Sequence, residues 1–148
     1  MQTTGPLYKT DFYAWTQQQA ALLQAEELEK LDLPNLAEEI EAMGASQRKE
    51  LKSRLLILIM HLLKLPYQPR QHPNSWLRTI RTQRNEIEFT LSDSPSLRRE
   101  IPVILAYVYP RARKQAAAET GLALTTFPLI CPWTDEQVLD EDFFPRNA

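Results

Sequence analysis

Glycine is scarce in this chain, which holds three glycines in 148 residues, at positions 5, 44 and 121. Tight turns between β-strands need backbone conformations with positive φ, and glycine adopts these at the least cost. A sheet protein of this length would therefore lack most of its turn residues. The scarcity favours a fold of helices joined by short connections.

Apolar residues recur at helical spacing in four segments, as amphipathic helices require. The second segment is apolar on almost every side between Leu55 and Leu63, which indicates a buried central helix. We predict an all-α fold, a helical bundle of four main helices with a short C-terminal extension, in a single domain over residues 1–148. The predicted helices cover residues 10–30, 32–65, 75–92 and 94–120.

Particular residues predict where these helices break and where a further one starts. The Gly-Ala-Ser sequence at residues 44–46 is the expected place for a bend or break in the second helix. In the fourth helix we expect a kink at either Pro102 or Pro110, because each lacks a backbone donor. Thr134 and Gln137 have the spacing of a capping box for a short last helix.

Cysteine content and hydropathy predict the compartment. Cys131 is the only cysteine, so neither an intramolecular disulfide nor a thiolate metal cluster can form. The most apolar run, residues 55–60, is too short to cross a membrane, and the first residues lack the basic and apolar regions of a signal peptide. We expect a soluble, cytoplasmic protein with no membrane partner. Without a glycine-rich phosphate loop, no cofactor is expected.

Charge is spread unevenly along the chain. Residues 66–114 hold nine Lys or Arg and four acidic residues, for a net charge of +5. Residues 115–148 hold one Arg and six acidic residues, for a net charge of −5. The acidic tail can pair with the basic helices inside the molecule, or the basic middle can form an anion-binding face.

Residues 31–41 read LDLPNLAEEIE, which resembles the LD-x-x-NLAEEIE signature of the bacterial domain of unknown function 29 family. The resemblance implies an all-α bacterial protein. It implies no activity, because the family has no assigned function. Further strings similar to the family's pattern cover nearly the whole chain, at residues 11–15, 53–64, 67–69, 75–84, 94–97, 120–122 and 140–145.

Arg54 and His61 are the candidate catalytic residues. They lie seven residues apart on the second predicted helix, so both project from one face. Arg-x6-His spacing resembles the motif of HEPN-type ribonucleases, which implies an arginine that holds phosphate and a histidine that assists attack by a 2′-hydroxyl. A buried histidine that only bonds a neighbouring helix is the structural alternative.

Two further groups are candidate binding residues. Glu38 and Glu39 place carboxylates near the start of the second helix, where they also complement the helix dipole. Neither Glu-x-x-His nor His-x3-His spacing accompanies them, and His72 follows in a loop, so no metal site is predicted. The second group combines arginines at every third position of the third helix with an aromatic residue, and comprises Arg78, Arg81, Arg84 and Trp76.

The arginines and the tryptophan of the third helix allow two interpretations. Arginines with aromatic side chains can stack on bases and hold phosphates, or they can form a solvated face that pairs with the acidic tail. We predict a structural or protein-interaction helical bundle, with another protein or a second copy of itself as its partner. The alternatives are a ribonuclease that uses Arg54 and His61, and a module that binds RNA or DNA through the third helix.

Overall fold

A computed structural model of the chain describes residues 4–67 and 73–145. Within these residues the chain is helical, with 3₁₀ turns between some of the helices and no strand. The predicted all-α fold with four long helices is confirmed. The α-helices are α1 (Thr4–Thr10), α2 (Phe12–Gln24), α3 (Leu33–Lys64), α4 (Pro73–Asp93), α5 (Ile101–Thr120) and α6 (Asp135–Leu139).

The chain packs as two compact units, Met1–Ser46 and Gln47–Ala148. The first unit contains α1, α2 and the beginning of α3. The second contains the remainder of α3 together with α4, α5 and α6. The single domain over residues 1–148 stays a prediction.

Two features of the first unit correct the helix predicted over residues 10–30. Asp11 caps α2 by accepting the Ala14 N–H at 3.0 Å, so α1 and α2 are separate helices on either side of it. At its other end α2 stops at Gln24, because Glu26 adopts a left-handed conformation with φ of 57°. The N–H groups of Glu26 and Glu27 then bond back to carbonyls of the last turn, which closes the helix.

A bend or break was predicted at residues 44–46, and no break occurs there, since α3 is one continuous helix from Leu33 to Lys64. Gly44 is exposed, and a Cβ built at this position would meet no atom within 4 Å. A glycine in a helix interior costs about 1 kcal/mol relative to alanine, which weakens a helix without interrupting its hydrogen bonds.

The core of the second unit forms around the C-terminal half of α3. This segment supplies Leu51, Leu55, Leu58 and Leu62, each with 0% exposure, so the predicted buried central helix is confirmed. The helices α4 and α5 pack against it, and so does the C-terminal segment, residues 127–144. The buried residues that they contribute include Ile80, Ile87, Leu91, Ile101, Ile104, Val108, Phe127 and Val138.

The fourth predicted helix divides into a 3₁₀ turn over Pro95–Glu100 and the helix α5. Pro102 lies in the first turn of α5, where no intrahelical donor is needed, whereas Pro110 lies inside the helix. Gly121 ends α5 in a left-handed conformation with φ of 75°. The predicted capping box of Thr134 and Gln137 starts α6.

Candidate functional site

Arg54 is held by three side chains of the second unit. Its guanidinium lies 3.0 Å from the Glu50 carboxylate and 3.6 Å from that of Glu86, and it donates to the Gln83 amide oxygen at 3.2 Å. One of these carboxylates belongs to α3 itself and the other to α4. These contacts leave the guanidinium engaged within the protein.

His61 bonds its own helix. Its Nδ1 lies 2.9 Å from the carbonyl oxygen of Ile57, which fits a neutral ring that donates from Nδ1. The ring is half-buried, and this burial, together with the charge of Lys64, lowers the pKa of His61. No hydrogen bond or ion pair joins His61 to Arg54 in the described part of the chain.

Lys64 is a buried cation next to His61, with 5% exposure. Its Nζ lies 2.8 Å from a carboxylate oxygen of Glu119 and 4.9 Å from the centre of the Trp76 ring. Trp76 therefore faces the end of α3, and its ring makes a cation–π contact with Lys64. The contact with Glu119 joins the end of α3 to the end of α5.

The arginines of α4 do not form one surface. Arg84 is 4% exposed and donates from Nε to the carbonyl of Val138 at 2.8 Å, which caps the C-terminal end of α6. Its guanidinium lies 5.3 Å from the Phe144 ring, and that of the exposed Arg81 lies 5.6 Å from the same ring. Arg78 is exposed. The most buried of the three thus fixes the C-terminal segment.

Burial of Arg84 leaves a polar atom without a hydrogen bond. Its Nη1 is buried with no partner in the described structure, whereas Nη2 reaches the Gln137 carbonyl at 3.5 Å. Burial lowers the pKa of Arg84, and the nearby Asp140 carboxylate raises it. The guanidinium therefore loses hydration on burial, while its hydrogen bonds to Val138 and Gln137 hold α6 in place.

The candidate carboxylates of the first unit differ in their surroundings. The hydroxyl of Tyr8 donates to the carboxylate of Glu39, and this bond raises the pKa of Tyr8 to about 12. Glu38 is exposed. Glu39 thus ties α3 to α1. His72, the other histidine of the sequence, lies outside the described residues.

Sequence reasoning missed a polar network in the first unit. Asp32, at 8% exposure, accepts the Trp15 indole N–H at 3.1 Å and the Asn35 side-chain amide at 2.8 Å. The N–H of Asp32 donates to the Gln19 side chain at 2.9 Å. The network joins α2 to the start of α3. It accounts for Asp and Asn in the LDLPN string and for the tryptophan of the string at residues 11–15.

A basic cleft with a volume of about 610 Å³ lies between α3 and α5 in the second unit. None of its lining residues, in the part of the chain that the structure describes, is acidic. Four cationic side chains surround its apolar surface. The cations are Lys49, Lys52, Arg111 and Lys114, and the other lining residues are Ser53, Leu56, Tyr107, Val108 and Pro110.

The basic cleft combines two kinds of surface. The Nζ of Lys52 lies 5.0 Å from the centre of the Tyr107 ring, and this ring is 71% exposed. Leu56 and Val108 belong to its apolar floor, while Lys49 and Lys114 are exposed. Such a cleft can bind a ligand that is apolar on one side and negatively charged beside it.

The sequence contains a pattern that corresponds to this cleft. Lys49 and Lys52 lie three residues apart on α3, and Arg111 and Lys114 have the same spacing on α5. Each pair therefore lies on one helix face. Two such pairs predict a basic surface only if the two helices are known to be neighbours.

Three observations bear on other kinds of site. Among residues 4–67 and 73–145, no three His, Cys, Asp or Glu side chains lie together as a metal site requires. None of the helices described in these ranges is both long and apolar enough to cross a membrane. The thiol of Cys131 is partly buried, 3.6 Å from the Trp133 carbonyl oxygen, and burial raises its pKa.

Comparisons with known proteins agree on the kind of protein and give no activity. The sequence matches the profile of a family described as a domain of unknown function, DUF29, over residues 7–144. The structure is similar to that of an alpha-helical protein of unknown function from Rhodospirillum rubrum, with 29% sequence identity and a TM-score of 0.61. The similarity covers 92% of this chain and 90% of that one. No curated protein gives a significant match.

Proposed function

This chain belongs to the DUF29 family, whose shared domain has no known function, and we propose that it is a protein-interaction module that docks its partner in the basic cleft. One observation carries the proposal. The cleft places four cations around an apolar floor with no acidic residue among its described lining residues. Such an arrangement leaves both the charge and the apolar area open to a partner.

The partner that fits best is an acidic amphipathic helix. A groove between two helices accepts a third helix that presents apolar residues at helical spacing. The floor around Leu56 and Val108 would cover those apolar residues. The exposed Lys49 and Lys114 would pair with carboxylates at the edges of the incoming helix, which adds specificity and speeds association.

The observed contacts favour this function over the two alternatives. A ribonuclease would need the Arg54 guanidinium to hold phosphate, yet two carboxylates and an amide already occupy it. A nucleic-acid module on α4 would need its arginines at the surface, yet Arg84 is buried against α6.

The single, unpaired Cys131 fits the reducing cytoplasm of a bacterium, and we propose that the protein resides there.

Isothermal titration calorimetry tests the proposal with two synthetic peptides of about 18 residues, long enough to form a helix. One has leucines at helical spacing with glutamates between them, and the other has the same composition in scrambled order. We expect the first to bind and the second to bind at least about tenfold more weakly, which corresponds to about 1.4 kcal/mol. Raising the salt concentration should weaken the binding.

Matched variants locate the binding surface. Lys49→Glu with Lys114→Glu should weaken binding of the amphipathic peptide by at least about tenfold, because it reverses two charges of the cleft. Arg78→Glu with Arg99→Glu reverses two exposed cations outside the cleft and should change the affinity by less than about twofold. Equal binding of both peptides, or equal losses in both variants, would overturn the proposal. RNA cleavage that Arg54→Ala or His61→Ala abolishes would support the ribonuclease instead.

A further inference from the structure

A second cleft of the second unit lies between α5 and the segment that leads into α6, with a volume of about 420 Å³. We call it the C-terminal cleft. Sites for small molecules have volumes of about 300–1,000 Å³ and are mostly apolar, and this cleft has both properties. Its apolar lining includes Leu105 and Tyr109 of α5 together with Leu129, Ile130 and Trp133 of the segment.

Part of the apolar lining of the C-terminal cleft is open to solvent. Leu129 and Ile130 are neighbours in the sequence and are 75% and 78% exposed. Single exposed apolar residues are ordinary, whereas adjacent large ones that line a concave surface are typical of a binding groove. The apolar body of a ligand would cover them.

Hydrogen bonds within the protein hold the segment in place and engage two donors of the C-terminal cleft. The Tyr109 hydroxyl donates to the carbonyl oxygen of Pro128 at 2.6 Å, which ties the segment to α5. The thiol of Cys131 lies 3.6 Å from the carbonyl oxygen of Trp133. The cleft is therefore formed before a ligand binds, and neither of these side chains has its donor free for one.

Two acceptors of the C-terminal cleft remain for a ligand. Pro110 has no N–H, so the carbonyl group of Ala106, four residues earlier on α5, receives no hydrogen bond from that position. Asp135 adds a carboxylate, and none of the lining residues in the described ranges is basic. Burial raises the pKa of the Cys131 thiol and the Asp135 carboxylate raises it further, so this negative charge lies near the thiol.

We infer that the C-terminal cleft binds a small protonated amine with an apolar body. An ammonium group has three donors and a positive charge, which match the Ala106 carbonyl and the Asp135 carboxylate. The ring of Trp133 can add a cation–π contact. This site goes beyond the proposed function, because its charge is opposite to that of the basic cleft and it selects a ligand of the opposite sign.

An NMR titration of the isotope-labelled full chain tests this inference with three ligands of similar size. Phenethylamine has the ammonium group, phenethyl alcohol has a hydroxyl in its place, and phenylpropanoate has a carboxylate. We expect phenethylamine to bind with a Kd of about 1 mM or below and to shift signals of residues 105–110 and 129–135. The alcohol should bind at least about tenfold more weakly, and the carboxylate weaker still.

Matched variants test the carboxylate. Asp135→Asn should weaken the binding of phenethylamine by at least about tenfold, because the ammonium group loses its counter-charge. Glu136→Gln removes the next carboxylate along the chain, which does not line the C-terminal cleft, and should change the affinity by less than about twofold.

A second pair of variants tests the carbonyl group. Pro110→Ala gives α5 a backbone N–H that bonds the Ala106 carbonyl, so it should weaken binding by about three- to tenfold. Because it restores a helical hydrogen bond, this variant keeps its fold even if Asp135→Asn does not. Pro95→Ala, at a proline that does not line the cleft, should change the affinity by less than about twofold.

Several outcomes would overturn the inference. They are a Kd of phenethylamine above about 10 mM, binding of phenylpropanoate as tight as that of the amine, and full affinity in either Asp135→Asn or Pro110→Ala. Equal losses in Asp135→Asn and Glu136→Gln would do so as well. Binding of the amphipathic peptide to the basic cleft is measured separately, so the failure of either site leaves the other standing.

Discussion

His61 makes the stability of the protein depend on pH. Because burial holds its pKa below the usual 6.5, the unfolded chain takes up a proton at a higher pH than the folded one. The part of the stability that depends on neutral His61 is therefore fully present above pH 6.5. It decreases as the pH falls from 6.5 towards the lower pKa of His61 in the folded protein. We predict from urea unfolding that the wild type loses more stability between pH 8 and pH 5 than His61→Gln does. Parallel losses in the two proteins would contradict this.

Arg84 secures the C-terminal segment with a geometry that lysine cannot reproduce. Its guanidinium bonds two carbonyl groups of α6 and stacks on Phe144. We predict that Arg84→Lys lowers the free energy of unfolding by about 1–3 kcal/mol, the usual range for bonds of a charged donor. Protease should then cut within residues 134–145 faster than in the wild type.

The control for this prediction is Arg78→Lys on the same helix. Arg78 is exposed, so this change should alter stability by less than about 0.5 kcal/mol. If both variants lost equal stability, the loss would reflect the arginine content of α4 rather than the contacts of Arg84.

Apart from the capping box, sequence reasoning at the level of single residues did not predict which groups bond to one another. His61 was predicted to be buried and is half-buried, and its ring bonds to its own helix, at Ile57, rather than to a neighbouring one. The bond between Trp15 and Asp32 was not predicted, although both lie in strings that resemble the family. Periodicity shows which side of a helix is buried, and it does not show which residues of two helices meet.

Among the elements, α3 differs most between its two halves. Leu58 and Leu62 in its second half are fully buried, so replacing either by alanine removes apolar contact and leaves a cavity. We predict that each change lowers the free energy of unfolding by about 2–5 kcal/mol in urea titrations. Phe89→Ala, at a side chain that is 68% exposed, should cost less than about 0.5 kcal/mol. Similar costs at buried and exposed positions would contradict this description of the core.

Helix boundaries were predictable where a side chain or a glycine fixes them. Gly121 and the Thr134–Gln137 capping box act at the expected positions. The end of α2 was not predictable in this way, because a glutamate, Glu26, takes the left-handed conformation that glycine usually supplies. The opposite case is Gly44, where glycine predicted a bend or break and the helix continues without a break. In each case residue type gave the preference, and the surrounding chain decided the conformation.

For the molecule as a whole, fold class followed from the sequence and the candidate site did not. Scarce glycine and helical spacing suffice to predict an all-α chain. The basic cleft instead requires α3 and α5 to be neighbours, and about 60 residues separate Lys49 and Lys52 from Arg111 and Lys114. No local sequence pattern predicts that α3 and α5 are neighbours. The arginines of α4 were predicted as a binding surface instead, because they share one helix.

The placement of the three tryptophans gives each unit its own optical reporter. Trp15 lies against the carboxylate of Asp32 in the first unit, whereas Trp76 lies beneath a lysine and Trp133 packs near Phe143 in the second. An indole changes its emission with nearby charge and with exposure to water. A chain that keeps only Trp15 would therefore fluoresce according to the state of residues 1–46, and one that keeps only Trp76 according to that of residues 47–148. Whether the two units melt together or one after the other can be read from two emission curves.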